Sequence, residues 1–191
     1  MVRDFFVLMA DLRRSSAHLR DGARGLTVSG MHRVFLETSA LLPTLSKLVS
    51  MRHGGVTEYL GDGVLGFFAV DDIEDTDEFV QACDVGDECL ETCADIVNDF
   101  LEKRYHLPCL SLGVGISVGQ SIVTTIGSGD DARPVAFGLP VFEVSRLSKG
   151  ENDVLISKKM RELWPKSKGG QRQFKEVSIR NFTGYRSTRG T

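Results

Sequence analysis

TEYLGDGVLGFF, residues 57–68, sets two apolar runs on either side of Gly-Asp-Gly. Asp-Gly between alternating apolar residues is a strong local signal for a tight β-hairpin. The stretch therefore predicts an antiparallel strand pair with an acid, Asp62, at its tip. Whether that acid only shapes a turn or does chemistry depends on what the rest of the chain brings to face it.

Upstream, DFFVLMAD (4–11) reads as a buried strand ending in a second acid, Asp11, and RRSSAHLRDGARG (13–25) reads as a polar loop. Met31, Val34, Phe35, Thr38, Leu41, Leu42, Leu45 and Leu48 recur at helical spacing. They predict a helix from Thr27 to Ser50, kinked or shortened at Pro43. Downstream, the stretch 71–107 opens on acids, which suits a helix N-terminus, and its acidic run reads as a solvated face. LSLGVGISVGQSIVTTIG (110–127) reads as a strand, a glycine turn and a second strand. A loop and short strand (127–138), a helix (139–150), a strand (153–157), a helical turn closed by Pro165 and a last hairpin (173–187) complete the order. Helices mixed with mostly antiparallel strands imply an α+β sandwich, and a ferredoxin-like βαββαβ core with additional strands fits the order.

The 191 residues fit a single domain, 1–191, with one sizeable core. At 41% hydrophobic and 26% charged, the composition is that of a soluble globular protein. The net charge of -3 argues against nucleic acid or an anionic membrane as partner. A polyanionic ligand would have to be held by a local cationic site or by metal ions. No apolar run spans a bilayer, and the N-terminal apolar stretch is too short for a secretory signal, so the expected location is cytoplasmic. Of the four cysteines, Cys83, Cys89 and Cys93 share one predicted helix and Cys109 lies beyond it. Without a CxxC or a histidine at zinc spacing, they read as small buried side chains in a reducing compartment.

If the first strand lies beside the hairpin, Asp11 and Asp62 converge. Two close carboxylates repel unless a cation lies between them, and Mg²⁺ takes one or two carboxylates together with phosphate oxygens. The following LRRSSAH (12–18) offers backbone N–H groups, the hydroxyls of Ser15 and Ser16, and the guanidinium of Arg13, which together suit phosphate oxygens.

The ordered set FFVLMADLRRSS (5–16), EYLGDGVLGFF (58–68), GVGISVGQSIVTTIGSGDDARPVAFGLPVFEVSRLSKG (113–150) and VLIS (154–157) resembles the catalytic domains of class III nucleotidyl cyclases. The resemblance runs from about Phe5 to Arg186. It implies the cyclase fold and a homodimer with active sites at the subunit interface. The activity implied is conversion of a nucleoside triphosphate to its 3′,5′-cyclic monophosphate and pyrophosphate. By position, Asp11, Asp62 and the backbone carbonyl of Leu12 would hold two Mg²⁺ or Mn²⁺ ions per site. Arg146 would stabilise the transition state, and Arg180 would grip the triphosphate.

Three positions depart from the purine-cyclising members. Where adenylate-forming members carry lysine this chain has Glu58, and their second base reader is Val135. Guanylate-forming members share only the glutamate. The asparagine that orients the ribose is Phe142. An ionised Glu58 only accepts hydrogen bonds, which suits uracil N3–H or the adjacent donors of guanine. Val135 leaves guanine O6 without a side-chain partner, at about 1–3 kcal/mol for a buried unsatisfied acceptor. Tyr59 and Phe142 add bulk that would shrink a purine-sized pocket. The pattern resembles the stand-alone pyrimidine cyclases of bacterial Pycsar anti-phage defence, whose cyclic UMP or cyclic CMP activates a separate effector protein. That resemblance implies UTP as substrate. Cytidylate cyclisation, guanylate cyclisation and a catalytically silent cyclase-like dimerisation or nucleotide-binding module remain alternatives, as does a plain ferredoxin-like interaction domain.

Overall fold

The strand Val2–Leu12 (β1) lies at the centre of an eight-stranded sheet and is covered on both faces. That is why its sequence is an almost unbroken apolar run. The computed structural model describes residues 2–21, 28–70, 76–166, 171–179 and 181–190. On one face of β1, Phe6, Leu8, Ala10 and Leu12 pack against the helices α2 (Gly30–Met51) and α3 (Thr76–Thr92). On the other, Val7 and Met9 join Leu65, Phe67, Ala136 and Val144 in a second cluster.

The hairpin is present as β2 (Gly55–Tyr59) and β3 (Gly63–Ala69). β3 pairs antiparallel with β1, and β1 pairs antiparallel with β4 (Leu112–Ile126). The order β2-β3-β1-β4, with α2 and α3 as the crossovers, is the ferredoxin-like core. β6 (Asp153–Ile156) adds parallel to β4, followed by β8 (Phe182–Arg189) and β7 (Arg172–Ile179). The aromatic rings of Phe6, Phe79, Trp164 and Phe174 meet edge-on in series, at centroid distances of 4.9, 6.2 and 4.8 Å. They fasten the last hairpin to the main core.

Four local expectations are corrected. The polar loop after β1 contains a helix, α1 (Ser15–Asp21). Residues 110–127 form no turn: β4 is one strand of 15 residues that exchanges partners along its length. Gly113–Ile116 pair with β6 and Ser121–Ile126 with β5 (Arg133–Gly138). Gly119 stays in register with Phe5 at φ 153°, where a Cβ would meet Lys159 Nζ at 2.8 Å. The glycine marks a close approach, which from sequence looks like a turn.

Helix α2 begins at Gly30 behind a Ser29 cap and runs through Pro43 without stopping. Its buried face is Arg33, Glu37, Leu41, Leu45 and Val49, while Met31 and Phe35 are 74% and 62% exposed. A charged pair replaces apolar residues in the first buried turns. The acidic opening of this stretch, 71–75, lies outside the described residues, but the later acids of α3 are not simply solvated. Buried Arg172 of β7 pairs with Asp84 and, at 2.8 Å, with Asp87. Arg189 of β8 pairs with Asp87 at 3.2 Å and Glu91 at 2.7 Å, so these acids anchor the C-terminal hairpin. Burial raises the Asp87 carboxyl despite the two arginines.

Helix α3 continues through a π-helical turn (Cys93–Val97) into α4 (Asn98–Tyr105). Cys83, Cys89 and Cys93 are buried along it, and Cys109 is exposed. Burial pushes the Cys83 and Cys89 thiols up to about 12 and Cys93 to about 11. Because the thiolate is the reactive form, the folded protein should release one equivalent of thionitrobenzoate at pH 8 from Cys109. All four cysteines should react once it is unfolded. Rapid reaction of two or more cysteines in the native state would contradict this packing.

Candidate active site

Asp11 lies one residue before the end of β1, opposite Gly63, and Asp62 immediately precedes Gly63 at the hairpin tip. The Leu12 amide donates to the Asp62 carbonyl at 3.1 Å, closing the strand ends together. The alternation that sends Val7 and Met9 to the second cluster also turns Asp11 to that face. Gly63 permits the approach: a Cβ there would sit 2.9 Å from the Ala10 carbonyl oxygen and 3.2 Å from Asp11 Oδ1. Both acids are tied to one short segment. Arg13 donates to Asp11 Oδ2 at 2.6 Å, and the Ser15 hydroxyl donates to Asp62 Oδ2.

Asp11 is 3% exposed, and a carboxylate so buried requires neutralisation. Arg13 provides it together with Lys149, whose Nζ donates to the same Oδ2 at 2.8 Å. Arg13 also donates to the Ser148 carbonyl at 2.9 Å, at the end of helix α5 (Leu139–Leu147). Among the described residues no cluster of three or more His, Cys, Asp or Glu forms a metal site, so a zinc-type cage is not present there. Two carboxylates and a backbone carbonyl are hard oxygen donors of the kind that fit Mg²⁺ or Mn²⁺.

The segment 13–16 is held from behind. Arg14 takes φ 62°, and its carbonyl accepts from the amides of Ala17 and His18, opening α1. Ser15 thereby meets Asp62, while Ser16 is exposed beside it. His18 Nδ1 lies 2.9 Å from Glu37 Oε2, and Arg33 Nε donates to Glu37 Oε1 at 2.7 Å. Glu37 is fully buried, so this polar trio, absent from the sequence expectation, docks α1 on α2.

Helix α5 crosses the same sheet face through Val144. Arg146 is exposed on it, with its guanidinium 5.0 Å from the ring centroid of Phe142, one turn earlier. Both line a groove of about 730 Å³ together with Met9, Lys149 and Phe182. Arg180 lies outside the described residues; its neighbours Ile179 and Asn181 border the groove.

Glu58 reaches this face through an irregularity. Val56 pairs with Gly66 and Glu58 with Leu65, so Thr57 is an extra residue in β2. Strict alternation would turn Glu58 with Val56 toward α2. The bulge turns it instead to the side of Leu65, a member of the second cluster. β2 packs beside β5, where Ala136 joins the same cluster and the half-buried Val135, one residue before it, takes the opposite face. Tyr59 pairs with Val64 and so stands on the opposite face from Glu58.

No protein-family model matches the chain, and no curated protein matches it in sequence. Solved structures do match. The guanylyl cyclase Cya2 superposes with a TM-score of 0.77 at 19% identity, covering 100% of this chain and 94% of that one. The adenylyl cyclase CyaB from P. aeruginosa gives 0.75 at 18% identity, covering 100% and 96%. A non-canonical dimeric guanylyl cyclase domain of the RhoGC fusion protein from the aquatic fungus Blastocladiella emersonii gives 0.73 at 11%, covering 100% and 99%. The fold is that of the class III nucleotidyl cyclases. In this chain Asp11 lies near a strand end, Asp62 at the adjoining hairpin tip and Arg146 on α5. No helix among the described residues is long and apolar enough to cross a membrane.

Gly63→Ala is expected to force the Ala10 carbonyl and the Asp11 carboxylate away from the hairpin tip. It should cost about 1–3 kcal/mol of stability in urea unfolding, as overpacking does. A variant as stable as the parent would show that Gly63 is not a point of close contact.

Proposed function

We propose that this chain is a nucleotidyl cyclase acting as a homodimer. The observation that carries the reading is the meeting of Asp11 and Asp62 at one strand end, with the buried acid neutralised by Arg13 and Lys149. The activities of the structural neighbours, guanylyl and adenylyl cyclases, support it. Asp11, Asp62 and the Leu12 carbonyl would hold two Mg²⁺ or Mn²⁺ ions. When bound, such ions polarise phosphate oxygens and lower the pKa of an attacking hydroxyl.

In the reaction, a bond forms between the ribose 3′-oxygen and the α-phosphorus. The bond from that phosphorus to the bridging oxygen breaks, pyrophosphate departs, and the 3′-hydroxyl proton is lost. Such displacement needs positioning and charge neutralisation more than covalent help. Ser15, Ser16 and Arg13 line the start of α1 beside the acids and suit the phosphates, with Arg180 as a further triphosphate contact. Arg146 supplies positive charge to the transition state of the site formed with the partner subunit.

The division between subunits is supported by a run of exposed apolar side chains. Ile122, Ile126, Phe137, Leu139 and Phe142 on β4, β5 and α5 form the kind of surface that a second copy covers.

For the base, Glu58 is the proposed reader, with Phe142 where a ribose contact would lie. Tyr59 and Val135 are left out, because alternation puts Tyr59 on the face opposite Glu58 and Val135 on the face opposite Ala136. A carboxylate turned toward the site by the Thr57 bulge favours a base with N–H donors. UTP, giving cyclic UMP as a messenger for an effector protein in antiviral defence, is the substrate we propose. GTP is the second reading, favoured by the two donors that guanine offers to a carboxylate.

Purified protein incubated with each of the four triphosphates and Mn²⁺ should form cyclic UMP, resolved by chromatography. Cyclic GMP would move the assignment to the second reading, and no cyclic product from any triphosphate would reject the enzyme. Arg146→Ala should lower kcat about 10³-fold or more, as loss of a transition-state arginine does. Mixing Asp62→Ala with Arg146→Ala chains should restore activity through one intact site per mixed dimer. Folded, dimeric mutants that fail to complement would argue against shared sites.

A further inference from the structure

Two cations on one buried carboxylate oxygen are an unusual arrangement for an acid that is to receive a divalent ion. Arg13 and Lys149 lie 2.6 and 2.8 Å from the same Oδ2 of Asp11. They are not equivalent. The Arg13 side chain is 18% exposed and locked by its second bond, to the Ser148 carbonyl. The Lys149 side chain is 40% exposed and has a single bonded partner, Asp11, among the described residues. Lys149 can therefore leave while Arg13 stays. Asp62, by contrast, is bonded to a hydroxyl rather than to a cation.

Lys149 also belongs to the end of α5. Its amide donates to the Arg146 carbonyl at 3.2 Å, and the Ser148 amide donates to Val144 at 2.8 Å. Its side chain lines the groove shared by Phe142 and Arg146. The contact from Lys149 to Asp11 thus clamps the last turn of the arginine-bearing helix to the acid of its own chain.

We infer that Lys149 is a positioning residue, an internal counter-ion that holds Asp11 and the end of α5 together until the carboxylate is given over to a divalent ion. The inference rests on the cyclase reading of Asp11 and Asp62. Loading the acids of a chain then releases the turn that follows its Arg146. Because that arginine serves the other site of the dimer, Lys149 links ion loading at one site to the helix that completes the second. The released ammonium remains in the groove beside Arg146, where it adds positive charge. The same contact weakens ion binding, because the ammonium competes for the oxygen that the ion would take.

The test uses the full chain and Mn²⁺ alone, without nucleotide. By isothermal titration calorimetry, Lys149→Met should bind Mn²⁺ about tenfold more tightly than the parent, or better. Lys149→Arg should stay near the parent value, and Asp11→Asn should abolish the difference. In hydrogen exchange, the amides of Ser148 and Lys149 should speed up at least about threefold on adding Mn²⁺ to the parent. In Lys149→Met they should already be fast without the ion. Equal or weaker Mn²⁺ binding by Lys149→Met, with Asp11-dependent binding intact in the parent, would overturn the counter-ion role and leave the cyclase reading standing. Absence of Mn²⁺ binding in the parent and in Lys149→Met alike would overturn both.

Discussion

A carboxylate at the end of a strand buried on both faces cannot stay charged without a cation beside it, and Asp11 is in that position. Much of the local architecture answers this demand. The chain turns at Arg14 so that Arg13 folds back onto the acid. The end of α5 comes close enough to give a carbonyl to Arg13 and an ammonium to Asp11. The hairpin approaches through a residue without a side chain. One desolvated acid thereby gathers β1, the β2–β3 tip, the start of α1 and the end of α5.

Behind that centre lies a second layer of charge. Glu37 is fully buried between Arg33 and His18 and sets where α1 sits. On the same face of the sheet, toward its β7 end, Arg172 and Arg189 tie β7 and β8 to the acids of α3. Buried ion pairs of this kind contribute little net stability over apolar packing, because desolvating the charges offsets their attraction. Breaking one leaves an unpaired charge inside, so each narrows the set of ways in which its two elements can dock.

The parts legible in the sequence were those written in local pattern. Asp62 between two apolar runs marked the hairpin, the apolar run before Asp11 marked a strand covered on both faces, and the motif order marked the fold. What escaped depended on partners distant in the chain. Lys149 in RLSKG carries no sign of its contact until the topology brings α5 over β1. Arg33 and Glu37 fall on the buried stripe only because His18 waits there, so apolar periodicity rotated α2 by the wrong angle. Gly119 had the composition of a turn, yet it accommodates a lysine from α6 (Lys158–Glu162) beside an unbroken strand. Asp84 and Asp87 looked solvated because their arginines lie more than eighty positions further along.

The extra residue at Thr57 ties the facing of Glu58 to the register of the hairpin. Glu58 lies opposite Leu65 and Tyr59 opposite Val64. A slip that let Thr57 take the place opposite Leu65 would send Glu58 to the α2 side and show a hydroxyl in its stead. Which side chain the strand presents to the second cluster is thus set by where the spare residue is stored, and not only by which letters the strand carries.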